Sequence, residues 1–150
     1  MSKKTILLLT DFSKISMRAA DIALELAVNN QANLMIYNSI ISIEASVIAG
    51  ERKFAGDEID LKTNKSKKNL DQLAQQLQAR LTSPAQHKTA ITVKQGMGSP
   101  VETMLNLVTE NEIWMVVMGN HAVLNMSNQF FDSNVPSIMN NCGCPLLLVP

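Results

Sequence analysis

Apolar positions along the chain follow two rhythms. Short continuous runs occur at Ile6-Leu7-Leu8-Leu9, Leu34-Met35-Ile36-Tyr37, Trp114-Met115-Val116-Val117-Met118 and Leu146-Leu147-Leu148-Val149, and Thr89 to Val93 alternates more weakly. Runs this short, apolar on both faces, suit strands of a parallel sheet covered by helices on both sides. Between them the spacing changes to three and four. Ala20, Ala23, Leu24 and Ala27 mark a helix over residues 16 to 29. Leu70, Leu73, Leu77 and Leu81 stripe a second over 57 to 81, whose acidic first turn, Asp57-Glu58-Ile59-Asp60, suits the positive end of a helix. A third begins at Ser99-Pro100-Val101-Glu102, a capping box with Pro at the first helical position, and runs to about Glu110. A short fourth starts between Ser133 and Pro136 and ends before Gly143, with Pro145 just beyond.

The order is thus β-α-β-α-β-α-β-α-β, which predicts right-handed crossovers and a doubly wound five-stranded parallel sheet flanked by helices on both faces. Residues 40 to 56 fit least well. They form a long expected loop whose Ile40, Ile41, Ile43, Val47 and Ile48 argue against full solvation. No linker or internal repeat divides residues 1–150, so one domain is expected, and 150 residues suffice for one core.

Composition narrows the function. Thirteen Lys and Arg balance thirteen Asp and Glu, and aromatics are only 4%. Neutralising phosphates needs a basic excess and base stacking needs aromatics, so nucleic acid is not an expected partner. Lys3 and Lys4 precede only four apolar residues, short of the roughly 7–15 of a signal peptide, and no run reaches a membrane span. Two Cys make no disulfide framework. A soluble, cytoplasmic protein without a membrane partner is the expectation.

In such a sheet, ligands sit beyond the carboxyl ends of the strands. There lie Thr10-Asp11-Phe12-Ser13, Asn38-Ser39, Gly96-Met97-Gly98 and Gly119-Asn120-His121-Ala122. Asp11 is a ligand group or the cap of the following turn. Gly96-Met97-Gly98 reads as a turn feeding the capped helix. Cys142-Gly143-Cys144 has only His87 and His121 to complete a metal site, at spacings unlike any zinc motif, so it reads as a helix end and no metal is expected. His121 is exposed without a role or touches a bound anion, and His87 sits in a solvated loop. Met104, Met115, Met118 and Met139 fill the core, and Trp114 anchors a core or an interface. Lys62, Lys65, Lys67 and Lys68 read as a solvated helix face. No G-x-S-x-G, Walker loop, dinucleotide fingerprint or H-E-x-x-H occurs, so no enzyme is expected.

Three segments resemble the universal stress protein family. Ile6 to Ser13 is similar to its opening strand and turn, and Gly98 to Met104 to its turn into the third helix. Val116 to Gly119, with ungapped spacing on to Pro145-Leu146-Leu147-Leu148-Val149, is similar to its last third. The resemblance implies an adenine-nucleotide-binding-like α/β domain, cytoplasmic, dimeric and tied to stress survival. One branch binds ATP through Gly, two residues, Gly, nine residues, then Gly-Ser or Gly-Thr; the other lacks the motif. Laid on this chain, the positions are Gly119, Ala122 and Asp132, followed by Ser133 and Asn134.

By resemblance, the vestigial nucleotide contacts are Thr10, Asp11, Ser39, Met118, Gly119, Ala122, Ser133 and Asn134. Asp11 would face adenine and ribose, and Ser39 would offer backbone groups to the base. Ala122 in a left-handed conformation costs roughly 1–2 kcal/mol. Asp132 would set a carboxylate against phosphate oxygens, a repulsion of roughly 3–4 kcal/mol at 4–5 Å and an effective dielectric of about 20. Pro136 removes an N–H from the helix start. The expectation is a homodimeric regulatory or interaction protein with an unidentified protein partner, no required cofactor, and weak or absent ATP binding. The alternative is a switch responsive to ATP or AMP, since a monophosphate meets less of Asp132. The dimer would pair Leu146, Leu147, Leu148 and Val149 antiparallel with their twins across a two-fold axis.

Overall fold

The computed structural model describes residues 4–40, 52–97, 100–119 and 143–150, with backbone alone for 52–59 and 100–103. Among these, β1 (Thr5–Leu9) leads into α1 (Lys14–Asn29), β2 (Asn33–Ile40), α2 (Arg52–Ala79) and a 3-10 turn (Gln86–Lys88). Then come β3 (Ile91–Met97), α3 (Pro100–Glu110), β4 (Ile113–Gly119) and β5 (Leu146–Val149). The five strands form one parallel sheet in the order β3-β2-β1-β4-β5. The chain winds outward from β1 to β3, then returns to β4 on the other side of β1, so the switch in direction lies between β1 and β4.

Period-two alternation sorts the core. Ile6 and Leu8 join Leu34, Ile36, Val117 and the inner residues of α1 and α2 in one buried cluster. Leu7 and Leu9 face the other way, with Tyr37, Val116, Met118 and Met104 and Leu107 of α3. Both faces of β1 are therefore buried, as its unbroken apolar run requires. The small Ala19, Ala20, Ala23 and Ala27 lie fully buried and let α1 approach the sheet closely. Arg80, just after α2, pairs with Asp21 in the middle of α1.

Several boundaries differ from the sequence pattern. Helix α2 starts at Arg52, so its first turn holds no acid and Asp57 to Asp60 lie further along. The good helix formers Arg52, Lys53 and Ala55 carry it back through Gly56. Of the expected loop 40–56, Ile40 closes β2 and 52–56 belong to α2, while 41–51 lie outside the described residues. Strand β3 begins at Ile91 rather than Thr89 and takes in Gly96 and Met97, which the sequence reads as a turn. Pairing with β2 in the register Leu34↔Ile91 through Ile40↔Met97 holds it extended past the glycine. The expected fourth helix lies outside the described residues.

Candidate functional site

A cleft of about 460 Å³ opens beyond the carboxyl ends of β1 and β2. Asp11 and Phe12 form one wall, and Asn38, Ser39 and Ile40 at the end of β2 form its floor. Helix α2 supplies the opposite wall through Lys62, Lys65, Ser66 and Asn69. This is the end of the sheet where ligands bind in open α/β folds.

The β1–α1 turn is closed by its own side chains. The Thr10 N–H donates to the Tyr37 carbonyl (3.0 Å), and the Asp11 N–H to Ser16 Oγ (3.3 Å). The Phe12 N–H donates to Thr10 Oγ1 (3.0 Å) and the Ser13 N–H to Asp11 Oδ1 (3.0 Å). The buried Ser16 hydroxyl also donates to Asp11 Oδ1, and Ser13 Oγ caps α1 by accepting from the Ser16 N–H (3.2 Å). Phe12 sits at φ 64°, in the left-handed region, a conformation unusual for a bulky residue. The network holds it there while its ring packs on the core. A phosphate cradle needs several converging, unpartnered N–H groups. Here four in succession are engaged, three inside the turn and that of Thr10 by the Tyr37 carbonyl of β2.

A second network fixes α2 over the cleft. Ser66 is buried, and its hydroxyl donates to Asn38 Oδ1 (2.7 Å). Asn38 Nδ2 in turn donates to the Thr10 carbonyl (2.7 Å). Gln95 Nε2 of β3 donates to the Thr63 carbonyl (2.9 Å). Two polar bonds thus join α2 to the ends of β2 and β3, and the third ties β2 to Thr10 beyond β1, where the lower half of α2 uses the buried Leu70, Leu73 and Leu77.

The structure unites only part of the expected site. Asp11 and Ser39 line the cleft, and Thr10 is buried beside it, tied to Asn38 and Phe12. Asp11 acts as a turn cap, the second of its two sequence readings, and its carboxylate also stands at the cleft wall. Met118 is a core residue under α3. Gly119 ends β4 against the first turn of α1, where an added Cβ would lie 2.9 Å from Ile15 Cγ2. That contact alone favours glycine. Ala122, Asp132, Ser133, Asn134, Pro136, His121 and Cys142 lie outside the described residues.

The remaining candidates fall away from the cleft. His87 is exposed in the 3-10 turn and Cys144 half-buried beside the second cluster. Trp114 stands at the amino end of β4 with Lys4 Nζ 4.9 Å from its ring centre, a cation–π pair. Among the described residues, no group of three His, Cys, Asp or Glu is placed to hold a metal ion, and no helix is long and apolar enough to cross a membrane. Sequence reasoning missed Ser66, Asn69 and the cleft position of Lys62 and Lys65. The signal was present: the leucine stripe of α2, carried back by turns, passes through Ser66 and Lys62.

Known proteins place this geometry in context. The model of the universal stress protein family matches residues 3–150. Universal stress protein UspA from Lactobacillus plantarum superposes with a TM-score of 0.75 at 17% identity, covering 100% of this chain and 99% of that one. A family protein from Burkholderia pseudomallei gives 0.68 at 21% identity, covering 99% and 96%. The universal stress protein from Archaeoglobus fulgidus in complex with dAMP gives 0.64 at 13% identity, covering 99% and 98%. A search of curated protein sequences finds no match.

Proposed function

The chain belongs to the universal stress protein family, and from that premise we propose a cytoplasmic, non-enzymatic regulatory protein of the stress response that binds ATP weakly or not at all. The observation that carries this reading is the closed β1–α1 turn. With the N–H groups of Thr10, Asp11, Phe12 and Ser13 all engaged, the described side of the cleft offers a polyphosphate no backbone cradle. The sequence adds Ala122 and Asp132 where the ATP motif implied by the family resemblance has glycine. Isothermal titration with ATP and Mg²⁺ tests it: heats should be absent or indicate a dissociation constant above the micromolar range, and a micromolar value sinks the reading.

The protein acts as a homodimer that recruits a further protein. Support comes from β5, which ends the sheet among the described residues and leaves Leu148 42% exposed on an apolar edge. Uncovered apolar edges are sites of strand pairing. Light scattering after size exclusion should give twice 16.5 kDa, and a clean monomer contradicts it.

A monophosphate-responsive switch is the second reading. The dAMP complex of the Archaeoglobus relative favours it, as does the smaller charge that a monophosphate presents to Asp132. Nucleotide carried through purification, detected by absorbance and mass spectrometry, would select this reading over the first.

A further inference from the structure

We propose that Lys62 and Lys65 form an anion subsite on the α2 wall of the cleft, suited to the phosphate of a singly phosphorylated small ligand. The inference rests on reading the cleft as the ligand site. It assigns the phosphate to a different element from the strand-end turns.

Helix periodicity carries the first part. At 100° per residue, positions 62, 65, 66 and 69 fall within an arc of about 100°, the arc that lines the cleft. Followed down the helix, the same arc reaches Leu73, and Leu77 lies about 20° beyond its edge; both are buried on the sheet. Packing alone would continue leucine upward. The chain instead places a buried Ser66 and then Lys62, and the change falls where the sheet ends and the cleft begins. Departures from the local pattern of this kind mark functional positions. Lys67 and Lys68 lie outside this arc and outside the cleft lining, so the departure is confined to one face.

Charge carries the second part. Neither Lys62 nor Lys65 has an ion-pair partner among the described residues. Three residues apart on a helix, they are neighbours of like charge, and an anion between them removes that repulsion. Asp11, the acid across the cleft, already accepts from Ser13 and Ser16 through Oδ1. A phosphate monoester carries a charge of about −1.5 to −2 near neutral pH, which two ammonium groups match, whereas a triphosphate exceeds them. The Ser66–Asn38–Thr10 chain fixes the helix turn from which both lysines project. A volume of about 460 Å³ accommodates a small ligand.

The test titrates the full chain at low salt with AMP, adenosine, inorganic phosphate and ATP–Mg²⁺. AMP should bind at least about tenfold more tightly than adenosine, the size expected of a charge-assisted contact, and inorganic phosphate should compete with AMP. Lys62→Gln with Lys65→Gln should lower AMP affinity to that of adenosine and leave adenosine unchanged. Lys67→Gln with Lys68→Gln removes the same charge from the same helix outside the cleft, and should leave AMP binding intact. An equal loss with that control pair would reduce the effect to general electrostatics and overturn the subsite. No binding of AMP, or equal binding of AMP and adenosine, overturns it too. AMP binding that survives the Lys62 and Lys65 substitutions sinks the subsite alone. Micromolar ATP–Mg²⁺ binding that survives them sinks the weak-ATP reading as well.

Discussion

Replacing Gly119 by alanine places a methyl group 2.9 Å from Ile15 Cγ2 and 3.2 Å from both the Ile15 carbonyl carbon and the Ser16 nitrogen. None of these atoms is the end of a flexible side chain. Ile15 is β-branched, and the other two belong to the first turn of α1. Ser16 N is also the donor that Ser13 Oγ caps, so any outward shift of the turn loosens the cap. Overpacking of this kind costs about 1–3 kcal/mol. In a chain of this size each kcal/mol lowers the melting temperature by roughly 2–4 °C. Urea unfolding followed by circular dichroism should therefore show a lower midpoint at unchanged slope. Ile15→Ala in the same background removes the nearest atom and leaves the two backbone contacts. A double-mutant cycle should accordingly recover part of the loss, with a coupling of about 0.5 kcal/mol or more. A glycine retained only for a phosphate loop would change ligand affinity and leave the ligand-free protein as stable as before. Wild-type stability in Gly119→Ala would refute the packing argument.

Two further predictions concern buried polarity and the loop. Tyr37 is 2% exposed and its hydroxyl has no partner among the described residues. Tyr37→Phe should be neutral or stabilising by up to about 1–2 kcal/mol, because it removes a desolvated oxygen. A destabilisation above about 1 kcal/mol in the same urea assay would show the hydroxyl to be satisfied. Changing Ala122 and Asp132 together to Gly removes a backbone penalty and a repulsion of roughly 3–4 kcal/mol. ATP affinity measured by titration should rise by at least about tenfold, and no gain would mean that the loop does not limit binding.

The strands were legible because β1, β4 and β5 are apolar without interruption, and helices pack on both faces of this sheet. Ends were less legible. Gly96 and Met97 carry turn chemistry, yet the β2 ladder holds them extended, a contact no local window contains. Asn38 and Ser39 look like residues beyond a strand but lie within it, because the ladder with β3 continues past the end of the β1 pairing. Asp11 was legible as a strand-end residue. Its capping role depends on Ser16, five positions on, which one helical turn brings back beneath it. Lys62 and Lys65 were hidden by their neighbours: four lysines in seven residues resemble a solvated face until the leucine stripe is extended across them.

The two borders of the sheet are unlike. Along β3, Thr92, Lys94 and the terminal Met97 are exposed, and the charge of Lys94 in mid-strand resists addition of another strand. Along β5, Leu148 is exposed. Strand pairing is thus favoured at one border and opposed at the other. Association through β5, if the proposed dimer forms, would use the same border on both copies and leave the two lysine-bearing borders outermost. Such an assembly would stop at two, whereas a chain with two receptive borders could polymerise without limit.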